Sequence, residues 1–304
     1  MSISGKNILV TGAMGFIGSK ITSLLNRDNQ VTGIDIKSPK DDSKIEGVNY
    51  VNIDISAHNA LSSLKGDFDY IFHFGSPSSF ELFKKDLYWN SQNTLMGFVN
   101  IMEFAKGNGV KGVVFPSSGT VYGNSARTLD RSFEPINMYG VLKLAHEKIS
   151  NLYKNEFKVK GLRIFMGYGP GEETKSSIGS PLYLFLNEIL RNKKPIIWGD
   201  GSQTRDLVYI EDIAEIAIKC LDSNDKRDNF FDIGTGINTS FLTIIRYIEE
   251  ILNINVKPQF VPRPSNYLET TVADPTIAEH ILGRKLTLPR TGITKFIEYL
   301  SEIV

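Results

Sequence analysis

Tyr139 and Lys143 stand four residues apart in "NMYGVLKLAHEK" (137–148), where Val141, Leu142, Leu144 and Ala145 supply the apolar spacing of an amphipathic helix. On a helix both side chains share one face and their polar tips can reach a common target. That makes a candidate acid/base couple, because a phenol can take a proton from an alcohol and a neighbouring ammonium favours the phenolate. With 12 Tyr in the chain, about one Tyr-x-x-x-Lys arises by chance, so the pair gains meaning only beside a cofactor loop and a strand-end partner.

Ser118, at the end of "GVVFPSS" (112–118) and 21 residues before Tyr139, is the candidate partner that fixes a substrate oxygen. It falls at the carboxyl edge of a strand, where open α/β sheets bind ligands. Ser117 competes with it, since successive strand residues face opposite ways.

The cofactor loop is "LVTGAMGFIGSKI", with Gly12, Gly15 and Gly18 between a strand and a helix. Glycines there let the backbone approach a pyrophosphate, whose charge meets the unpaired N–H groups and positive end of the helix. The spacing is G-x-x-G-x-x-G, a variant of the G-x-G-x-x-G fingerprint. Asp35 ends the second strand 17 residues after Gly18, close to where a carboxylate accepts the adenosine ribose hydroxyls. An anion there repels a 2′-phosphate, so NAD is favoured over NADP. Asp54 ends a third strand, where it could accept from the adenine amino group or simply cap the strand.

These residues need a scaffold. The 304 residues suffice for one large α/β domain, or for a nucleotide-binding domain with a smaller companion. The first two-thirds alternates strand candidates (7–12, 30–35, 49–54, 70–75, 112–118, 159–165) with helix candidates (16–27, 87–106, 138–157), the pattern of a parallel, doubly wound sheet. Past Phe165 a Gly-, Pro- and Ser-rich loop precedes helical patterns at 181–192, 240–252, 275–282 and 292–303, with a short strand near 229–234. A second, smaller, discontinuous domain over the open end of the sheet is the economical arrangement.

Lys plus Arg equals Asp plus Glu at 34 each, so no global field favours nucleic acid or an anionic membrane. Neither a signal peptide nor a run of roughly 18 apolar residues is legible. Cys220 lies in a helix-period pattern and reads as a buried structural thiol; with a single cysteine no disulfide framework forms, and a cytoplasmic location is the default. His58, His73, His146 and His280 lack metal-ligand spacing, so no metal is assigned.

Taken in order, "TGAMGFIG" (11–18), Asp54-Ile55, "HFGS" (73–76), "SSGTVYG" (117–123), "YGVLK" (139–143), "LRIFMGYGPG" (162–171), "GDGSQTRDLVYIEDIAE" (199–215) and "ADPTIAEHILG" (273–283) make the chain resemble a known family. From about Lys6 onward it resembles the extended short-chain dehydrogenase/reductases, and within them the NAD-dependent nucleotide-sugar epimerases and dehydratases. The resemblance implies a Rossmann domain (1–166 with about 203–235), an NAD, and a smaller discontinuous α/β domain (about 167–202 with 236–304) that grips a nucleoside-diphosphate sugar. It places Ser118, Tyr139 and Lys143 on the catalytic positions. Cofactor positions fall on Gly12, Gly15, Phe16, Ile17, Gly18, Asp35, Ile36, Asp54, Ile55, Phe74, Gly75 and Ser76, together with Tyr139 and Lys143. Thr120, Lys175, Arg205 and Arg263 join Ser118 and Tyr139 as substrate positions, the arginines pairing with the diphosphate.

Dehydratases and decarboxylases of this family usually carry acidic residues after the Ser/Thr, whereas this chain has Gly119-Thr120 and looks like the UDP-galactose 4-epimerases. The implied reaction has Tyr139 take the O4 proton while C4 gives hydride to the nicotinamide; the 4-ketone turns over and hydride returns to its other face. "GPGEETKSSIGS" (169–180) also resembles the loop of ADP-heptose 6-epimerases, with Lys175 matching a second base, so a 6-epimerase or a reductase is the alternative. A non-catalytic NAD-binding regulator is a remote one, since such proteins usually lose the Tyr or Lys. The chain departs from the family at Met166 (usually Asn), Asn266 (often Asp), Thr94 and Phe98. A homodimer packing helices near 87–106 and 138–157 into a four-helix bundle is also implied.

Overall fold

Strand segments such as "VVF" and "YIFHF" are apolar on both faces and therefore need helices on both sides. The protein is described from a computed structural model over residues 3–39, 44–64, 66–124, 132–223, 229–263 and 267–303. The first half runs β1 (Asn7–Thr11), α1 (Phe16–Leu25), β2 (Gln30–Asp35), β3 (Asn49–Asn52), β4 (Tyr70–His73), α2 (Phe80–Lys85), α3 (Leu87–Gly107), β5 (Gly112–Ser118), α4 (Met138–Ser150) and β6 (Lys158–Ile164). The second runs β7 (Met166–Tyr168), α5 (Pro181–Leu190), β8 (Ile196–Trp198), β9 (Thr204–Tyr209), α6 (Ile210–Lys219), β10 (Phe230–Ile233), β11 (Asn238–Ser240), α7 (Phe241–Leu252), β12 (Gln259–Val261), α8 (Thr276–Leu282) and α9 (Pro289–Ile303).

Seven parallel strands form the central sheet in the order β3-β2-β1-β4-β5-β6-β10, a Rossmann-type doubly wound topology. Side-chain alternation divides its core: Ile8, Val10, Phe72, Val114 and Leu162 pack with α1, α6 and α8, while Leu9, Ile71, Val113 and Phe115 pack against Phe98, Ile101 and Met102 of α3. A third apolar cluster joins Tyr168, Leu182, Leu186, Ile197, Ile244 and Phe296, drawn from α5, α7, α9 and the small sheets β11-β9-β7 and β12-β8. The chain winds outward from β1 to β3, then crosses back to β4. The crevice beyond the carboxyl ends of β1 and β4 is therefore the switch point at which such sheets bind ligands.

Two expectations need correction. The helix expected over 138–157 ends at Ser150, whose hydroxyl donates back to the Glu147 carbonyl; a 3₁₀ turn over Asn151–Tyr153 follows. The strand expected over 49–54 stops at Asn52, because Asp54 turns back onto Ser56 and leaves the ladder. No helix among the described residues is long and apolar enough to cross a membrane.

Candidate active site

The glycine loop closes the crevice from the β1 side. Gly12 has φ +67°, and a Cβ there would lie 2.5 Å from the Phe74 carbonyl oxygen; one at Gly18 would lie 2.1 Å from the Gly12 oxygen. Only hydrogen fits at either place. The opposite loop is bound to this one, since Phe74 N donates to the Thr11 carbonyl (3.0 Å) and Gly75 N to Thr11 Oγ1 (2.9 Å). The first turn of α1, beginning at Phe16 and Ile17 after Gly15, has neither a side-chain cap nor an acidic residue. Its N–H groups are thus available to a pyrophosphate, and the loop fits the cofactor that the spacing suggested.

Asp35 ends β2 with Oδ2 accepting from Met14 N (3.0 Å) and Oδ1 from Lys37 N (3.0 Å), so the carboxylate braces the glycine loop from the adjacent strand. Ile36 beside it is exposed. Asp54 is exposed, and its Oδ1 accepts from Ser56 N and Oγ and from Asn93 Nδ2. Ile55 is buried against α3, where a Cβ at Gly97 would meet its Cγ1 at 3.1 Å.

Ser118 and Tyr139 meet because two tight backbone contacts bring their elements together. A Cβ at Gly140 would lie 2.9 Å from the Thr120 carbonyl oxygen, and one at Gly119 would lie 2.9 Å from the Phe165 ring. The first turn of α4, capped by Asn137, therefore rests on the 3₁₀ turn that follows Ser118. Ser118 is buried and acts on Tyr139 to hold the phenol's pKa down, while the Tyr139 ring packs 6.1 Å from that of Phe83. The Thr120 hydroxyl nearby is buried with no protein partner.

Lys143 is 2% exposed; its Nζ lies 5.6 Å from the Tyr139 ring centre and donates to Ser76 Oγ at 3.0 Å. Burial pushes the lysine down to about 7. Burial also raises Tyr139 above the ordinary tyrosine value, with Ser118 opposing it, so the net shift of the phenol is upward where a lowered value was expected. Behind Lys143 lie two fully buried histidines with ring centres 6.4 Å apart, His73 Nε2 and His146 Nδ1 lacking partners. Burial drives His73 down to about 3 and His146 well below the usual histidine value, with the Lys143 charge adding to both shifts.

Ser117 faces the other way. Its hydroxyl donates to Glu147 Oε1 (2.5 Å), and Arg163 grips the same carboxylate through Nε (2.9 Å) and Nη2 (2.8 Å). Arg163 Nη1 donates to the Tyr122 hydroxyl, which donates to Asp232 Oδ1. Sequence reasoning missed this network, although Glu147 lies four residues beyond Lys143 on the same helix and Arg163 pairs with Ser117 in the ladder.

The remaining substrate candidates sit farther along the chain. Lys175, in the turn Glu172–Ile178, places Nζ 4.3 Å over the Phe16 ring, and burial lowers its pKa. Glu172 beside it is fully buried, and burial pushes its carboxyl up. Arg205 lies 5.1 Å from the Tyr267 ring centre and 5.5 Å from that of Phe241; Arg263 pairs with Glu269, and both guanidinium charges act on the Tyr267 hydroxyl. Asn266 falls outside the described residues.

Known proteins share this architecture. A UDP-glucose 4-epimerase of Mycolicibacterium smegmatis is 28% identical over 96% of this chain and 97% of its own. UDP-glucuronate 4-epimerase 5 of Arabidopsis thaliana is 27% identical over 98% of this chain and 76% of its own. The crystal structure of a UDP-glucuronic acid 4-epimerase from Bacillus cereus, in complex with UDP-glucuronic acid and NAD, superposes with a TM-score of 0.83 at 27% identity, covering 98% of this chain and 100% of that one. The sequence pattern of the NAD dependent epimerase/dehydratase family matches residues 8–234, and the chain belongs to that family.

Proposed function

We propose that the chain is an NAD-dependent epimerase of a nucleoside-diphosphate sugar, acting at C4 on UDP-sugars of the glucose/galactose type. The observation that carries this reading is Tyr139 with Ser118 acting on its hydroxyl and the Lys143 ammonium 5.6 Å from its ring centre, together with Gly119-Thr120 where elimination would call for an acid. The two relatives and the structural neighbour described above each carry the name of a UDP-sugar 4-epimerase.

Tyr139, as phenolate, takes the O4 proton and later returns it. Ser118 holds O4 during the transfer, and Lys143 stabilises the phenolate through its charge. NAD, when bound, supplies reversible hydride acceptance at C4, by way of a transient 4-keto sugar. The glycine loop and the N-terminus of α1 hold the pyrophosphate, and Asp35 favours a cofactor without a 2′-phosphate. Arg205 and Arg263 pair bidentately with the substrate diphosphate.

The same reading divides the chain into 1–166 with about 203–235, which bind NAD, and about 167–202 with 236–304, which bind the sugar nucleotide. It places the protein in the cytoplasm as a homodimer formed through α3 and α4. The activity is tested by incubating the purified protein, without added cofactor, with UDP-glucose, UDP-galactose, UDP-glucuronate and UDP-N-acetylglucosamine while following anomeric signals by NMR. Interconversion of one C4 pair without net NADH is expected; stoichiometric NADH release, or no interconversion of any pair, would overturn the reading.

A further inference from the structure

Lys143 is an anomaly in its surroundings. A buried ammonium ordinarily has a carboxylate beside it, because desolvating a charge without a partner costs far more than burying a neutral group. The titratable groups that face it are Tyr139 and His146 on its own helix and His73 on β4, and all three are uncharged near pH 7. What its Nζ reaches is a hydroxyl: Ser76 Oγ, 3.0 Å away, in the loop after β4. Ser76 Oγ donates to the Pro77 carbonyl at 3.4 Å, which leaves a serine lone pair turned to the ammonium.

We propose that Ser76 is a positioning residue of the acid/base couple: its hydroxyl accepts from the Lys143 ammonium and holds the cation beside Tyr139 at the mouth of the crevice. The inference rests on the reading of Tyr139 and Lys143 as that couple and adds to it a residue from a different loop. Without the Ser76 oxygen the ammonium loses this acceptor, gives up its proton at lower pH and assists the phenolate less. A serine hydroxyl adds no charge of its own to the site, whereas a carboxylate would pair with Lys143 and shield its charge from Tyr139.

The test compares wild type, Ser76→Ala and Ser76→Thr over a range of pH, with the UDP-sugar that wild type turns over. Ser76→Ala is expected to lose about ten- to a hundredfold in kcat with KM little changed, the scale of a hydrogen bond to a charged group. The alkaline limb of its pH profile should move down by about one unit, and Ser76→Thr, which keeps the hydroxyl, should recover most of both effects. In the cofactor-free protein, the rise in denaturation midpoint with pH should begin at lower pH in Ser76→Ala than in wild type, since Lys143 is neutral sooner. Wild-type kcat and limbs in Ser76→Ala, or a loss of kcat with no shift of the limb, would overturn the proposal. Lys143→Met separates the two levels: full activity in that variant sinks the couple itself, while an inactive Lys143→Met beside an unaltered Ser76→Ala sinks only the role of Ser76.

Discussion

Burying Lys143 among neutral groups lowers its pKa from 10.5 to about 7, and that shift is also a statement about stability. The folded-state value lies below the unfolded one. The contribution of this group to stability is therefore full above the unfolded value and is lost as pH falls towards the folded one. Wild type should gain on a Lys143→Met variant, both free of cofactor, by up to about 1.4 kcal/mol per pH unit as pH rises from 7, with a flat difference below. Urea midpoints measured across that window check this, and a difference independent of pH would show that the ammonium is not held in a low-dielectric site. Residue types and spacing made Tyr139, Lys143 and the glycine loop legible in the sequence, while it is the family resemblance that selects Ser118 over Ser117. The direction of the Tyr139 shift was not, because it depends on how much of the ring Phe83 and its neighbours cover, and no local pattern encodes that.

At the scale of elements, the site depends on β5, β6 and α4 keeping one spacing. Glu147 joins all three, since it accepts from Ser117 of β5 and takes both arms of Arg163 from β6. Removing Glu147 takes the close carboxylate from Arg163 and leaves it only Asp232 at 4.0 Å, so Glu147→Ala should cost about 3 kcal/mol of stability, read from denaturant unfolding. A loss below about 1 kcal/mol would mean that the network does not hold these elements together. Long elements such as α3 and α4 were legible because several turns repeat the apolar spacing. β7, β8, β11 and β12, of three residues each, and the six-residue α2 are too short to repeat any period, and tertiary pairing decides them. The end of α4 was overrun because Ser150 and Asn151 stop the helix by local hydrogen bonds, while the apolar pattern itself continues.

For the whole molecule, the order of the strands puts the glycine loop, Ser118 and Tyr139 at one edge of the sheet; the alternation of strands and helices made the doubly wound parallel sheet legible, but not the order itself. α3 and α4 also carry exposed apolar side chains: Tyr88 is 87% exposed and Val141 45%, and Met96 and Met138 are exposed as well. Apolar exposure of this kind on two adjacent helices suits a self-complementary twofold contact. Wild type should sediment as a dimer, and the double variant Tyr88→Glu/Val141→Glu as a folded monomer; a wild type that sediments as a monomer at micromolar concentration would contradict the homodimer. The claim on which the rest depends is that hydrogen leaves C4 of the sugar and comes back to the same carbon. Deuterium placed at C4 of the UDP-sugar substrate tests it directly, with the epimeric product analysed after turnover in ordinary water. Retention of the label at C4 of the epimer is the predicted result, and its replacement by solvent hydrogen would contradict the account.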